Sequence, residues 1–337
     1  MKLRGVILIL LTFLLECVVA QGYQPDVLGE GFEQHTFDMG CDYGGEVFST
    51  LVRALPVVEG RASVLYVHGY SDYFFQRDMA QRFVDSAYNF YALDLRRYGR
   101  SIREHHTPYD VRDLSEYFDD IDSALVVMRR EGAREIILVS HSTGGLITSL
   151  YCMQPEVERQ PVDAMVLNSP FLDMNMGWAV EEVVIPVVSL FGGVFAGGEI
   201  SQGGASLYGE SLHRDYRGEW DFNLDWKPIN SRPLTLAWLR AIHRGNRAVQ
   251  RAGRAIDIPI LLMYSDKSVV AREWSEAITS ADAVLDVSDI KRYGADLGTD
   301  VTHLEVVDGI HDLVLSRPEV REGVYHAIFD WLRGLDL

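Results

Sequence analysis

The sequence predicts an α/β protein with a mostly parallel central sheet, helices flanking both of its faces, and an inserted segment late in the chain. Three observations carry this. Apolar runs of strand length recur at residues 63–67, 89–93, 136–139, 165–168, 260–264 and 301–307. Stretches of helical period alternate with them, as at 111–130, where Leu114, Phe118, Ile121, Leu125 and Met128 share one face. Strands that are apolar at nearly every position are covered on both sides, the usual condition of parallel strands joined by helical crossovers. From Pro170 to about Arg254 the rhythm breaks into a region rich in Gly, Trp and Tyr, which holds Trp178, Trp220, Trp226 and Trp238. It then resumes.

The whole chain sets outer bounds. Its 337 residues suffice for a large core, and a net charge of -18 repels nucleic acid and anionic membrane surfaces in general. Local insertion of an apolar lip remains compatible with that charge. Residues 1–20 have the layout of a secretory signal peptide: Lys2 and Arg4, an apolar run at 6–15, and small residues at Val18, Val19 and Ala20 before Gln21. Glu16 cuts the run short of the roughly 20 residues a membrane-spanning helix needs, and it is a poor neighbour for lipid attachment at Cys17. Export is therefore expected, with a core from 21–169 and 255–337 and a cap from 170–254. Export permits a Cys41–Cys152 disulfide, but Cys152 follows the central turn on a helix, where a buried free thiol is the commoner state.

Taken in order, residues 21–39 read as an extended lead-in and 42–56 as a strand or hairpin at the sheet edge. The run 63–67 ends in His68-Gly69-Tyr70-Ser71-Asp72, where glycine lets the backbone turn sharply and aim N–H groups into a cleft. The run 89–93 ends in Asp94-Leu95-Arg96-Arg97-Tyr98-Gly99-Arg100-Ser101. The run 136–139 leads into Ser140-His141-Ser142-Thr143-Gly144, with a helical pattern from Gly145 onward. A serine on a tight strand-to-helix turn is a nucleophile elbow, which lifts the hydroxyl above the sheet; its usual first glycine is here Ser140. After the insertion come the strand at 260–264, a helical stretch, the strand at 301–307 and a terminal helix at 319–333.

The order of the His68-Gly69 loop, the 94–101 loop, the Ser142 elbow, the aromatic-rich insertion and a late His311-Asp312 resembles the α/β-hydrolase superfamily. Within it the chain is similar to the monoacylglycerol lipase, lysophospholipase and serine aminopeptidase-like branch, over most of its length after about residue 40. The resemblance implies a cofactor-free and metal-free Ser-His-Asp site. Ser142 takes the place of the nucleophile. His311 takes that of its base, just past the last strand and in the chain order Ser, acid, His. Backbone N–H groups of Tyr70 and Thr143 take the place of the oxyanion hole. Two positions compete for the acid. Asp266 follows the strand at 260–264, whereas Asp282-Ala283-Val284-Leu285-Asp286 is similar to the branch's Asp-x-Val-Val motif. Asp282 is preferred, because one helix and one strand fill the chain between it and His311, while Asp266 leaves an extra segment over. Asp286 and Asp289 read as helix caps, Asp72 and Tyr73 as shapers of the first loop, and Asp94 and Arg96 as holders of the next turn. His303 lies within a strand as a surface or packing residue. The adjacent His105-His106 is a poor metal chelate.

The implied function is a secreted serine hydrolase that cleaves carboxyl esters, monoacylglycerol- or lysophospholipid-like, through an acyl-serine intermediate. Its partners would be a small-molecule or lipid ester and, through the cap, a transient lipid surface; oligomeric state is left open. A peptidase or amidase on the same residues would need cap carboxylates for a free amino terminus, with Glu181, Glu182, Glu199, Glu210 and Glu219 as candidates. A binding protein on a catalytically dead fold is disfavoured, since serine, histidine and a plausible acid are all present. The cap tryptophans serve either an acyl chain or simple packing.

Overall fold

The computed structural model describes residues 22–57, 60, 62–156, 159–174, 198–200, 206–230 and 232–337. The expected signal segment 1–20, Trp178, Glu181 and Glu182 lie outside the described residues. Three N-terminal strands, β1 (Gln24–Pro25), β2 (Glu33–Asp42) and β3 (Gly45–Ala54), pair antiparallel in succession. The lead-in expected at 21–39 therefore contributes two strands. It escapes an apolar-run criterion because β2 exposes at least part of every residue and carries polar side chains along most of its length. The stretch 42–56, expected to be a strand or hairpin at the sheet edge, holds the single strand β3, which forms a hairpin with β2 before it and lies third from the edge, against β5 (Asn89–Asp94).

The apolar runs make the middle of the sheet. β4 (Ser63–Val67), β6 (Ile136–His141), β7 (Ala164–Asn168) and β10 (Ile260–Ser265) are buried throughout, and β11 (Val301–Val306) closes the far edge. The order is β1-β2-β3-β5-β4-β6-β7-β10-β11, parallel from β5 onward.

Alternate side chains of these strands feed two cores. Leu65, Leu138, Leu167 and Leu262 face the helices α2 (Glu116–Arg130), α3 (Thr143–Cys152) and α6 (Val287–Gly294). Tyr66, Val139, Val166 and Met263 face α1 (Arg77–Asp85) and α7 (Pro318–Gly334). Within the stretch expected to be an insertion, α4 (Leu207–Leu212) and a two-stranded pair, β8 (Glu199–Ile200) with β9 (Leu234–Thr235), precede α5 (Leu236–Ala252). Helix α5 buries Ile242 and Val249 in the same core as α3. The methyl of an alanine at its Gly245 would stand 2.6 Å from Leu114 Cδ1. This helix thus packs on α3. Cys41 is exposed, Cys152 is buried, and both are free thiols; burial pushes the Cys152 thiol up to about 12.

Candidate active site

The site lies where the parallel strands end. Ser142 stands between β6 and α3 with φ 53° and ψ -119°, a backbone conformation that costs a non-glycine residue roughly 1–3 kcal/mol and persists only where its surroundings impose it. Close packing imposes it here. A Cβ on Gly144 would fall 2.4 Å from the carbonyl oxygen of His68, and one on Gly145 2.6 Å from Pro170 Cβ. Ser140, in place of the elbow's usual first glycine, is fully buried, with its hydroxyl 2.8 Å from Thr148 Oγ1. The Thr148 hydroxyl in turn donates to the carbonyl of Gly144 at 3.0 Å. The extra hydroxyl is therefore satisfied inside the turn rather than stranded.

The Ser142 hydroxyl lies 3.0 Å from His311 Nε2, and His311 Nδ1 lies 2.9 Å from Asp282 Oδ2. All three side chains are buried. The second oxygen of Asp282 accepts the N–H groups of Val284 and Leu285, each at 2.8 Å, so neither lone-pair face is left to solvent. Asp266 stands elsewhere: it accepts the Asp308 N–H at 2.8 Å and lies 3.5 Å from Lys267 Nζ. Asp286 caps α6 through Ser288 N, while Asp289 falls inside that helix's first turn. His303 reaches Tyr264 Oη at 3.2 Å, and His105 and His106 both hold the carbonyl of Glu46.

The two residues expected to supply backbone donors line the same cavity as Ser142. Thr143 opens α3, where N–H groups lack helical acceptors and the helix dipole is positive. Tyr70 is held through its neighbours. His68 Nδ1–H donates to Gly69 O at 2.8 Å while its Nε2 accepts Leu95 N–H at 3.1 Å. Burial pulls the His68 pKa below its ordinary value, favouring this neutral ring. Because the Gly69–Tyr70 peptide is planar and trans, gripping its carbonyl fixes the Tyr70 N–H on the opposite edge. As the sequence suggested, Asp94 holds the next turn, accepting Phe74 N at 2.8 Å and Arg100 N at 2.9 Å. Arg96 pairs with buried Asp120.

The cavity has a volume of about 270 Å³ and a mixed lining. Leu212, Phe222, Ile229, Trp238 and Leu285 contribute apolar side chains. Asp72, His141 and Lys227 contribute polar ones, and Lys227 Nζ lies 5.6 Å from the centre of the Phe222 ring. Lys227 Nζ lies 2.7 Å from Asp72 Oδ1. Burial works to raise the Asp72 carboxyl, but the Lys227 ammonium, helped by His141, overrides it and holds the group well below the ordinary carboxylate range. Asp72 Oδ2 and both ring nitrogens of His141 meet no hydrogen-bond partner among the described residues, His141 Nδ1 lying 3.7 Å from that oxygen. Asp72, expected only to shape its loop, is thus part of the cavity. His141, Lys227 and Tyr208 were not anticipated. The ring of Tyr208 stands edge-on to His311 at 5.6 Å, and its hydroxyl accepts Asp312 N–H at 3.0 Å. Of the described insertion tryptophans, Trp238 lines the cavity, while Trp226 packs on Tyr73 and Trp220 donates to Leu315 O.

Comparison with known proteins agrees with this architecture. The profile of the serine aminopeptidase S33 family matches residues 59–311. No curated protein matches the sequence. Among solved structures, a soluble variant of monoglyceride lipase from Saccharomyces cerevisiae, in complex with a substrate analog, superposes with TM-score 0.65 at 16% identity, covering 93% of this chain and 96% of its own. Monoacylglycerol lipase from Paleococcus ferrophilus gives 0.61 at 17% identity, covering 85% and 98%. A thermostable carboxyl esterase from Bacillus coagulans, in complex with glycerol, gives 0.63 at 13% identity, covering 91% and 99%. The sheet order, the elbow and a family match across most of the chain lead to one conclusion: this protein has the α/β-hydrolase fold and belongs to the serine aminopeptidase S33 family.

Proposed function

We propose that the protein hydrolyses carboxyl esters of an apolar acyl group through an acyl-serine intermediate. The observation that carries this reading is the unbroken chain from Ser142 Oγ to His311 Nε2 and from His311 Nδ1 to Asp282. Ser142 attacks the ester carbonyl as His311 takes its proton, and Asp282 holds the ring in the required tautomer and stabilises the imidazolium. The oxyanion that forms is met by the Tyr70 and Thr143 N–H groups. On collapse of this intermediate the C–O bond to the alcohol breaks and His311 returns its proton to the departing oxygen. Water, deprotonated by the same imidazole, then adds to the acyl-serine, and collapse releases the acid and restores Ser142.

The mixed lining of the cavity offers groups for each part of the ester. The acyl group suits the side chains of Leu212, Ile229 and Trp238. A hydroxyl-bearing alcohol suits Asp72, His141 and Lys227, which offer donors and acceptors together. Monoacylglycerol- or lysophospholipid-like esters suit such a lining, and the names of the structural relatives, monoglyceride lipase, monoacylglycerol lipase and carboxyl esterase, support the reading.

Aminopeptidase action is the second reading, and the family description favours it. It needs a carboxylate to receive the substrate's α-ammonium group. Among the described residues lining the cavity, Asp72 is the carboxylate, and Lys227 already occupies it. That favours the ester. We further propose export through cleavage after residue 20, and brief contact of the cap, residues 170–254, with a lipid surface. N-terminal sequencing of the secreted product tests the first.

The decisive assay is hydrolysis of p-nitrophenyl esters from short to long acyl chains, run beside aminoacyl p-nitroanilides and with Ser142→Ala as control. Ester turnover that rises with chain length and disappears in the variant is the expected result. Anilide turnover exceeding ester turnover would transfer the site to the peptidase reading, and unchanged turnover in Ser142→Ala would overturn the mechanism.

A further inference from the structure

Asn168, the last residue of β7, touches both parts of the site that must meet. Its backbone carbonyl accepts the Ser142 N–H at 3.0 Å, and three residues on, Phe171 N–H donates to the Ser142 carbonyl at 2.9 Å. Both main-chain polar groups of the strained nucleophile are thus held by one short strap that begins at Asn168. The Asn168 side chain turns to the other half. Its Nδ2 donates to Asp312 Oδ1 at 2.7 Å, and its Oδ1 accepts Leu313 N–H at 3.2 Å. These are the two residues that follow His311.

The elbow comes from β6 and the histidine loop from beyond β11, three places away in the sheet order, so no single strand carries both. Asn168 spans them from β7. It is 2% exposed, and Asp312 1%. A buried carboxylate must be matched by donors, and besides Asn168 the other oxygen of Asp312 has Gln76 Nε2 at 3.4 Å. A carboxamide suits the position because it donates on one arm and accepts on the other; a carboxylate or an alkyl group of equal size loses at least one of these bonds.

We infer that Asn168 is a positioning residue that sets the Ser142–His311 separation, by fixing the elbow through its backbone and the histidine loop through its side chain. The inference rests on the nucleophilic chemistry proposed above. Displacement of a reacting group by an ångström can cost about a hundredfold in rate, and that is the scale expected on release of the loop.

The test is a swap of side chains read by three measurements: kcat and KM on an ester that the wild type cleaves, the rate at which a fluorophosphonate labels Ser142, and Tm. Asn168→Asp sets two carboxylates against each other. It is expected to lower kcat and labelling together by about 10- to 100-fold, with KM within about twofold. In Asn168→Asp/Asp312→Asn the amide at 312 donates to the carboxylate at 168, which still accepts Leu313 N–H, and both rates should return to within about threefold of wild type. Asp312→Asn alone keeps an acceptor for Asn168 and should stay within the same range. Should Asn168→Asp not fold, the double variant and Asp312→Asn decide.

Wild-type kcat in folded Asn168→Asp, a loss confined to KM, or a swap that recovers Tm without recovering kcat and labelling would each overturn the positioning role. So would a loss above tenfold in Asp312→Asn. A wild-type protein that takes no label at Ser142 at all would instead remove the proposed chemistry, and this inference with it.

Discussion

Lys227 and Asp72 form an ion pair that joins the segment ahead of β9 to the loop after β4, 155 positions earlier in the chain. Asp72 is almost wholly buried and Lys227 nearly so. Removing one member of such a pair leaves the other charge buried without a partner, a loss of about 3–5 kcal/mol, whereas removing both often costs little. Lys227→Met should therefore destabilise strongly, and Lys227→Met/Asp72→Asn should recover most of the loss. A double-mutant cycle from urea unfolding measures the coupling; a value near zero would show that the pair holds nothing.

Ser142 combines the place of the proposed nucleophile with a strained backbone. Ser142→Ala should lower ester turnover by about a millionfold while leaving Tm close to wild type. Ser142→Gly should be equally inactive yet more stable by about 1 kcal/mol, because glycine accepts a positive φ without steric cost. Urea midpoints for the three proteins check this; a less stable glycine variant would mean that the elbow is not strained.

Carboxylate roles can be separated by isosteric change. Asp282→Asn leaves the packing intact but reverses the hydrogen-bond polarity at His311 Nδ1, and turnover should fall about ten-thousandfold. Asp266→Asn, whose parent carboxylate supports Asp308 N–H, should remain within about threefold, as substitutions away from the reacting groups do. Initial rates on one short-chain ester suffice for the comparison.

Two glycines should respond in opposite ways to alanine. At Gly144 the new methyl meets backbone oxygens of His68 and Val67 at 2.4 and 2.5 Å, and a loss above about 4 kcal/mol is expected. At Gly323, exposed in α7 with nothing within 4 Å, alanine should add about 1 kcal/mol through helix propensity. Thermal unfolding and soluble yield report both.

His68 links stability to pH. Its folded pKa lies below the ordinary histidine value of 6.5 because burial disfavours the charged ring. Below 6.5 the unfolded chain binds the proton first, so the stability this neutral ring contributes is complete above that pH and lost as pH falls through the folded value. His68→Asn should be less stable at pH 8 but should lose less Tm than wild type on going to pH 5. A parallel decline in the two proteins would show that the buried ring contributes nothing to the acid limb.

The parts of the molecule that sequence reading reached are those whose determinants are local. β4, β6, β7 and β10 are apolar along their length because both faces are covered, and Ser142 sits in a turn that its immediate neighbours define. β2 was missed as a strand because its side chains are partly open to solvent and mostly polar. The short α1 buries only Met79, Ala80 and Phe83 and has no side-chain cap to announce its start. Lys227, Tyr208 and Asn168 escaped for a different reason: they bond across 155, 104 and 144 positions, and nothing in their own neighbourhoods marks those partners. Asp282 was reachable because a helix and a strand have known lengths, which bounds where an acid ahead of His311 can lie.

The sheet order also has a kinetic consequence. Ser142, Asp282 and His311 meet only after β6, β7, β10 and β11 have paired in parallel, and pairings between distant stretches of chain form slowly. Helices and hydrophobic collapse can precede them. During refolding, recovery of turnover should therefore lag behind recovery of circular dichroism, and turnover becomes the stricter gauge of completion. A chain halted partway, with its helices formed and its strands unzipped, would be chemically silent toward any ester it met.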